Sequence, residues 1–337
     1  RPCHTGGACP ARREVATERA LSDPAISRRE VVLLSVVLIV MGAGWGMTQP
    51  LTKISVSTGY GYFGLVFWQQ ALGATLMLGL CRARGIGLPR HAGALRTYLV
   101  IALVGTVLPN TISYQAAVHL PSGIMSLLLS AIPMFAFVIA LLLGNESFKR
   151  RRLVGLLFGL AGVLLIILPS VDMGQAVPVF WAALYLVVAL FYAFEGNYVA
   201  RWGVAGLEPF QLMLGASLCG LVIITPLMLT TGQMIVPQWP LPVAQQALIA
   251  SSVVHVFVYA TYVWLVGRAG AVFAVQVSYM VTGFGLFWAW LLLGEAFSAL
   301  VFAALASMFI GMYLVQPRPK ALLAAQSGMG DKDLNIS

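Results

Sequence analysis

The sequence predicts an all-α integral membrane protein of ten transmembrane helices, built as two inverted-topology five-helix repeats with both termini cytoplasmic. Three observations predict it: long stretches without charge, a one-sided distribution of Lys and Arg, and a self-match at an offset of about 150 residues. Only 9% of the 337 residues are charged, 60% are hydrophobic, and the mean hydropathy is +0.90. A soluble domain draws about a quarter of its residues from Asp, Glu, Lys and Arg to make its surface. This chain has no such supply.

The expected spans are Val31–Pro50, Tyr62–Cys81, Thr97–Val118, Leu120–Gly144, Leu153–Pro169, Pro178–Ala200, Pro209–Thr230, Val243–Val266, Ala269–Gly294 and Phe297–Gln316. Each is long enough to cross a hydrocarbon core about 30 Å thick at about 1.5 Å per residue. The first carries Trp45 and Gln49 one turn apart, with Pro50 expected to end its regular pattern and Gly42 and Gly46 suited to close helix approach. The second holds Trp68-Gln69-Gln70. In the third, Asn110 and Tyr114 are one turn apart beside Gln115, and Pro109 removes a backbone donor and should loosen the helix.

The fourth span shows a small-residue stripe of Gly123, Ser126, Leu129 or Ser130, and Pro133, which reads either as pocket lining or as a close-packing face. Gly155 and Gly159 form a GxxxG pair in the fifth, a packing feature. Glu195, in the sixth, is the only carboxylate within the ten spans, and Tyr192 accompanies it as a candidate substrate contact. An ionisable group at mid-membrane costs about 2.5–3.5 kcal/mol on insertion scales, so it faces a cavity or a partner. For Glu195 the choices are proton coupling, or snorkelling and pairing with Arg201. In the eighth span His255, Tyr259 and Tyr262 share one helical face, extended by Ser251 or Ser252. That face either lines a cavity or packs. The ninth offers Phe273, Gln276, Tyr279 or Met280, and Gly283, a bulkier counterpart of the fourth span's stripe.

Charge sets the orientation. Of the 20 Lys and Arg, all but Lys53 fall on one side of the ten-span arrangement, so the positive-inside rule places both termini in the cytoplasm of a cell (inner) membrane. The net charge of +9 follows from this topology and does not signal nucleic-acid binding. The four residues Lys149–Arg152 read as a topology anchor against anionic headgroups.

The self-match supplies the architecture. Leu141-Leu142-Leu143-Gly144 falls on Leu291-Leu292-Leu293-Gly294 at an offset of 150, and Gly46 falls on Gly196. Past Asn145 the offset becomes 149, so Glu146 matches Glu295 and Gly162 matches Gly311. Five spans per half is odd, so the halves enter the membrane from opposite sides, the arrangement of many secondary transporters. The halves run 31–169 and 178–316, flanked by tails at 1–30 and 317–337 expected to be disordered. Residues 1–30 contain no apolar run of the secretory kind, so no cleaved signal peptide is expected within them. Cys3, His4 and Cys9 fit no standard zinc spacing, and no metal or other cofactor is expected.

Pro121-Ser122-Gly123, Pro133, Leu141 to Ser147, and Gly155 to Leu165 together resemble the end of an EamA domain, and Gly44-Trp45-Gly46 followed by Lys53 resembles its beginning. The chain is thus similar to ten-helix members of the drug/metabolite transporter superfamily. The resemblance implies that helices one, three, four, six, eight and nine surround a substrate path, with five and ten peripheral and available for packing or a homodimer. Glu195 followed by Gly196 also resembles the proton-exchanging carboxylate of the small four-helix multidrug exporters. Relatives often carry an Arg in the second helix where this chain has neutral amides, so their substrate charge does not transfer.

The expected function is a permease exporting a small metabolite, an amino acid or related amphipathic solute, by alternating access on a proton gradient or by exchange. Substrate contacts are expected from Trp45, Gln49, Asn110, Tyr114, Ser126, Tyr192, His255, Tyr259, Tyr262, Gln276 and Tyr279, and coupling from Glu195. An uncoupled facilitator is the alternative. Neither a phosphate-binding loop, HExxH nor GxSxG is present, which weighs against an ATP-driven pump or an intramembrane enzyme. A structural membrane protein is the remaining class.

Overall fold

The computed structural model describes residues 28–144, 150–167, 178–269 and 276–315. Of the tails expected to be disordered, 1–27 and 317–337 lie outside them, as do Glu146, Lys149 and Phe273, whereas residues 28–30 are helical and open α1. The chain divides into Arg1–Val37 and Leu38–Ser337, and the packing that builds the core lies within the second unit.

The described residues form ten helical rods and no strand: α1 Arg28–Val56, α2 Tyr62–Ala83, α3 Ala92–His119, α4 Ser122–Leu142, α5 Arg150–Ile167, α6 Val179–Trp202, α7 Pro209–Thr230, α8 Val243–Ala269, α9 Val277–Leu293 and α10 Ala299–Val315. Seven of them are long and apolar enough to cross a membrane. The other three are α5, which opens on three arginines, and α9 and α10, whose described lengths of 17 residues give about 25 Å of rise.

Three rods depart from regular geometry or from expectation. Pro50 does not end α1: the helix continues to Val56, because a proline deletes one donor while the residues after it still bond onward. In α3, Ile101–Val107 is π-helical, and the Leu108 N–H reaches back to the Leu103 carbonyl. Pro109 follows directly and has no N–H for Gly105, so the loosening expected there takes the form of a widened turn. The fourth rod is broken into Ser122–Leu129 (α4a) and Ile132–Leu142 (α4b). Ser130 satisfies the break by donating its hydroxyl to the Leu127 carbonyl at 2.6 Å.

Packing pairs α2 with α7, α4a with α9, α5 with α10, and α3 and α4b with α6. A continuous core joins Leu65 and Val66 of α2, Tyr114 of α3, Leu127 and Leu128 of α4a, Tyr185 of α6, Leu286 of α9 and Met308 of α10. The α5–α10 seam uses the expected GxxxG: a side chain at Gly311 would stand 2.8 Å from the Gly155 carbonyl and 2.9 Å from the Gly159 nitrogen. That glycine face is therefore occupied within the chain.

Candidate functional site

Between α2, α3, α7 and α8 lies a polar cavity of about 20 Å³, close to the size of one water. Gln69 and Gln70 reach it from α2, Thr106 and Asn110 from α3, Ser217 from α7, and Ser252 and His255 from α8. Its walls are internally bonded. The Gln70 amide donates to the Thr106 hydroxyl at 3.0 Å, and that hydroxyl donates to the Ala102 carbonyl at 2.8 Å. Tyr114 donates to the Gln69 carbonyl oxygen at 3.2 Å. Buried polar groups satisfied in this way fix the wall and leave the remaining amide and hydroxyl capacity for a guest.

The Glu195 carboxylate sits at the widened turn of α3. A Cβ on Gly105 would stand 2.7 Å from its Oε1 and 2.9 Å from its Oε2, so only glycine admits the carboxylate at this depth. Among the described residues no donor hydrogen-bonds to it, and it makes no ion pair with Arg201, which is exposed. Its charge reaches Tyr192 on its own helix and Tyr259 and Tyr262 on α8. Trp45 links this group of side chains to the polar cavity's His255, with its ring 5.4 Å from Tyr262 and 6.3 Å from His255. His255 in turn lies 6.3 Å from Tyr259. A half-buried carboxylate with no fixed partner can take a proton or a cationic group, and the surrounding rings present π faces and hydroxyls to whatever binds beside it.

The structure thus brings together Trp45, Asn110, Tyr114, Tyr192, Glu195, His255, Tyr259 and Tyr262. Gln49 lies apart, accepting from the buried Tyr185 hydroxyl at 2.8 Å. Ser126 is fully buried at the α4a–α9 contact, against Gly285, with its hydroxyl donating to the Ser122 carbonyl at 3.1 Å. Gln276 is exposed. Tyr279 packs 5.6 Å from Phe309 in a separate apolar cluster with Met134, Phe137 and Met312. Sequence reasoning did not select Gln69, Gln70, Thr106 and Ser217. Two adjacent amides in an otherwise apolar span were the available signal.

A comparison with curated proteins gives no match. Among solved structures, one titled only as the crystal structure of a protein aligns over 90% of this chain and 100% of its own, at 18% identity and a TM-score of 0.59. That likeness concerns the fold alone. The sequence model of the EamA-like transporter family matches residues 33–168, from within α1 to the end of α5. With its membrane-length apolar helices, the chain is a multi-pass membrane protein whose residues 33–168 match the sequence model of the EamA-like transporter family.

Proposed function

We propose that this protein is a secondary transporter of the drug/metabolite type that exports a small metabolite by alternating access, with Glu195 as its proton-coupling site. The observation that carries the reading is the unpaired Glu195 carboxylate set over Gly105 in the widened turn of α3. A proton there offsets the cost of a buried charge and is the natural competitor of a cationic solute group. The solute is an amino acid or a related amphipath: its ammonium addresses Glu195 and the rings, and its polar remainder meets Gln69, Gln70, Asn110 and His255. The pairing of α2 with α7, α4 with α9 and α5 with α10, each with its counterpart from the other half, supports the inverted repeat. The one-sided distribution of Lys and Arg supports cytoplasmic termini.

Flux of a labelled amino-acid panel in proteoliposomes, with and without an imposed pH gradient, tests this. Coupled transport predicts saturable flux that collapses with the gradient, and a Glu195→Gln variant whose flux no longer responds to it. Flux indifferent to the gradient in the parent protein would identify an uncoupled facilitator, a reading favoured by the neutral lining of the polar cavity.

A further inference from the structure

Two charged side chains hold the short junction between α3 and α4a from opposite sides. Lys53, in the last turn of α1, donates through Nζ to the Leu120 carbonyl at 3.0 Å and the Val118 carbonyl at 3.3 Å, at the carbonyl end of α3. Glu295, just past α9, takes the other side. Its Oε1 accepts from the Ser122 N–H at 2.7 Å and the Ser122 hydroxyl at 2.9 Å, and its Oε2 accepts from the Gly123 N–H at 2.9 Å. A cation on carbonyls and a carboxylate on amides are each the favourable sign for a helix end, and each bond is charge-assisted.

The two charges do not form an ion pair with one another. Each is spent on a helix terminus, and the carboxylate reaches the ammonium only through its longer-range field. Four helices, α1, α3, α4a and α9, therefore meet at residues 118–123. The Phe297 ring, two residues after Glu295, seals the contact: a Cβ on Gly123 would stand 2.5 Å from it. Beside it the His119 ring stacks on Trp181 of α6 at 4.0 Å and 12°.

Resting on the transporter reading above, we infer that Lys53 and Glu295 are positioning residues of the transport cycle. They form a two-sided clamp that holds this end of the solute path shut and opens it on release. Alternating access requires this end to part in one state. Both residues are half-buried, so water can replace the broken bonds, and that makes the clamp a latch and not a permanent tie.

The test reads accessibility independently of flux. Ser113, buried on α3 beside Tyr185, is two turns below the junction, and Ser113→Cys gives a near-isosteric reporter for a membrane-impermeant maleimide. Labelling is taken over that of the parent's own thiols. Lys53→Met and Glu295→Gln are each expected to raise the reporter's labelling rate roughly tenfold, the size of one charge-assisted bond lost. Lys53→Arg keeps the slow rate.

The exchange Lys53→Glu with Glu295→Lys stays fast, because each charge then faces the wrong helix end. Restoration by that exchange, or unchanged labelling in both single variants, overturns the clamp. If both single variants fail to fold, Ser122→Ala, which removes one of the three bonds to Glu295, is read instead; about a threefold rise is expected and no rise overturns the proposal. A reporter that responds in a protein showing no flux for any solute would leave the clamp standing and refute the transporter reading.

Discussion

Replacing Gly105 by Ala should separate stability from coupling. The added methyl would stand 2.7 Å from Glu195 Oε1, 2.8 Å from Cδ and 2.9 Å from Oε2, where ordinary contact begins at 3.4 Å. The carboxylate must then withdraw by about 0.7 Å to reach normal van der Waals distance. It is the free end of a flexible side chain with no hydrogen bond to lose among the described residues, so the withdrawal costs little. Ala in place of Gly in a helix contributes about 0.5–1 kcal/mol through lower unfolded-state entropy. Thermal stability should stay level or rise slightly. Gradient-driven flux should fall roughly ten- to hundredfold, the scale on which a displacement near 1 Å disables a positioned group. The assay pairs thermal unfolding of the purified protein with proteoliposome flux. A stability loss beyond about 2 kcal/mol would mean that the methyl meets something that cannot yield. Undiminished flux would mean that the Glu195–Gly105 juxtaposition has no part in coupling.

Two further substitutions address the cavity and the seam. Gln70→Leu keeps the bulk against Gly220 but removes the donor to Thr106, at a cost of about 1 kcal/mol; the KM for flux should rise several-fold, and an unchanged KM would take Gln70 out of the solute path. Gly311→Leu drives a side chain into the backbone of Gly155 and Gly159, which cannot retreat as a side chain can; a loss of about 1–3 kcal/mol or more is expected in thermal unfolding, and an unmoved midpoint would show that α5 and α10 are not so closely packed.

The ten rods are legible in the sequence because a membrane demands uninterrupted apolar length, and charges have nowhere else to go. Pro209–Thr230 matches its expected span end for end. Pro50 misleads because a proline's local penalty is outweighed when the chain after it still packs as helix. The break at Ser130–Ala131 has its signal in Pro133, which lacks an N–H for the Leu129 carbonyl and stands in the first turn of α4b, although its role as a helix start does not show in an apolar run. Helical periodicity places His255, Tyr259 and Tyr262 on one face, and they do share it, but only tertiary packing shows Trp45 against that face. Periodicity also selected Gln276 and Tyr279, which the rotation of α9 about its axis carries to solvent and to the α10 side. A sequence states which residues share a face, and not which neighbour the face meets. Gln69 and Gln70 carry no charge to mark them in the sequence, whereas a cavity for a neutral group is walled by amides and hydroxyls.

For the proposed solute, the site's dimensions bear on which parts of the protein would have to move. A cavity of about 20 Å³ is near the size of one water, and an amino acid is several times larger, so a solute enters only as the walls separate. The α2–α7 wall resists: the Gln70 side chain lies directly on Gly220, and a Cβ on Gly73 would be 3.2 Å from the Ser217 hydroxyl, so sliding or parting these helices opens voids along their whole contact. Across the cavity α3 is built to bend, as is α4, which follows it outside the lining. α3 carries the π-helical turn and Pro109, and α4 is broken at Ser130–Ala131, so both have given up intrahelical bonds at mid-length. These two rods are joined at the 118–123 junction held by Lys53 and Glu295. On the proposed reading, release of that junction lets α3 bend at its widened turn, where Glu195 rests on Gly105. On that same reading, protonation at Glu195 and release at the junction act on the same helix, one at its widened turn and one at its end, as an exchange of the proton only when the path changes sides would require.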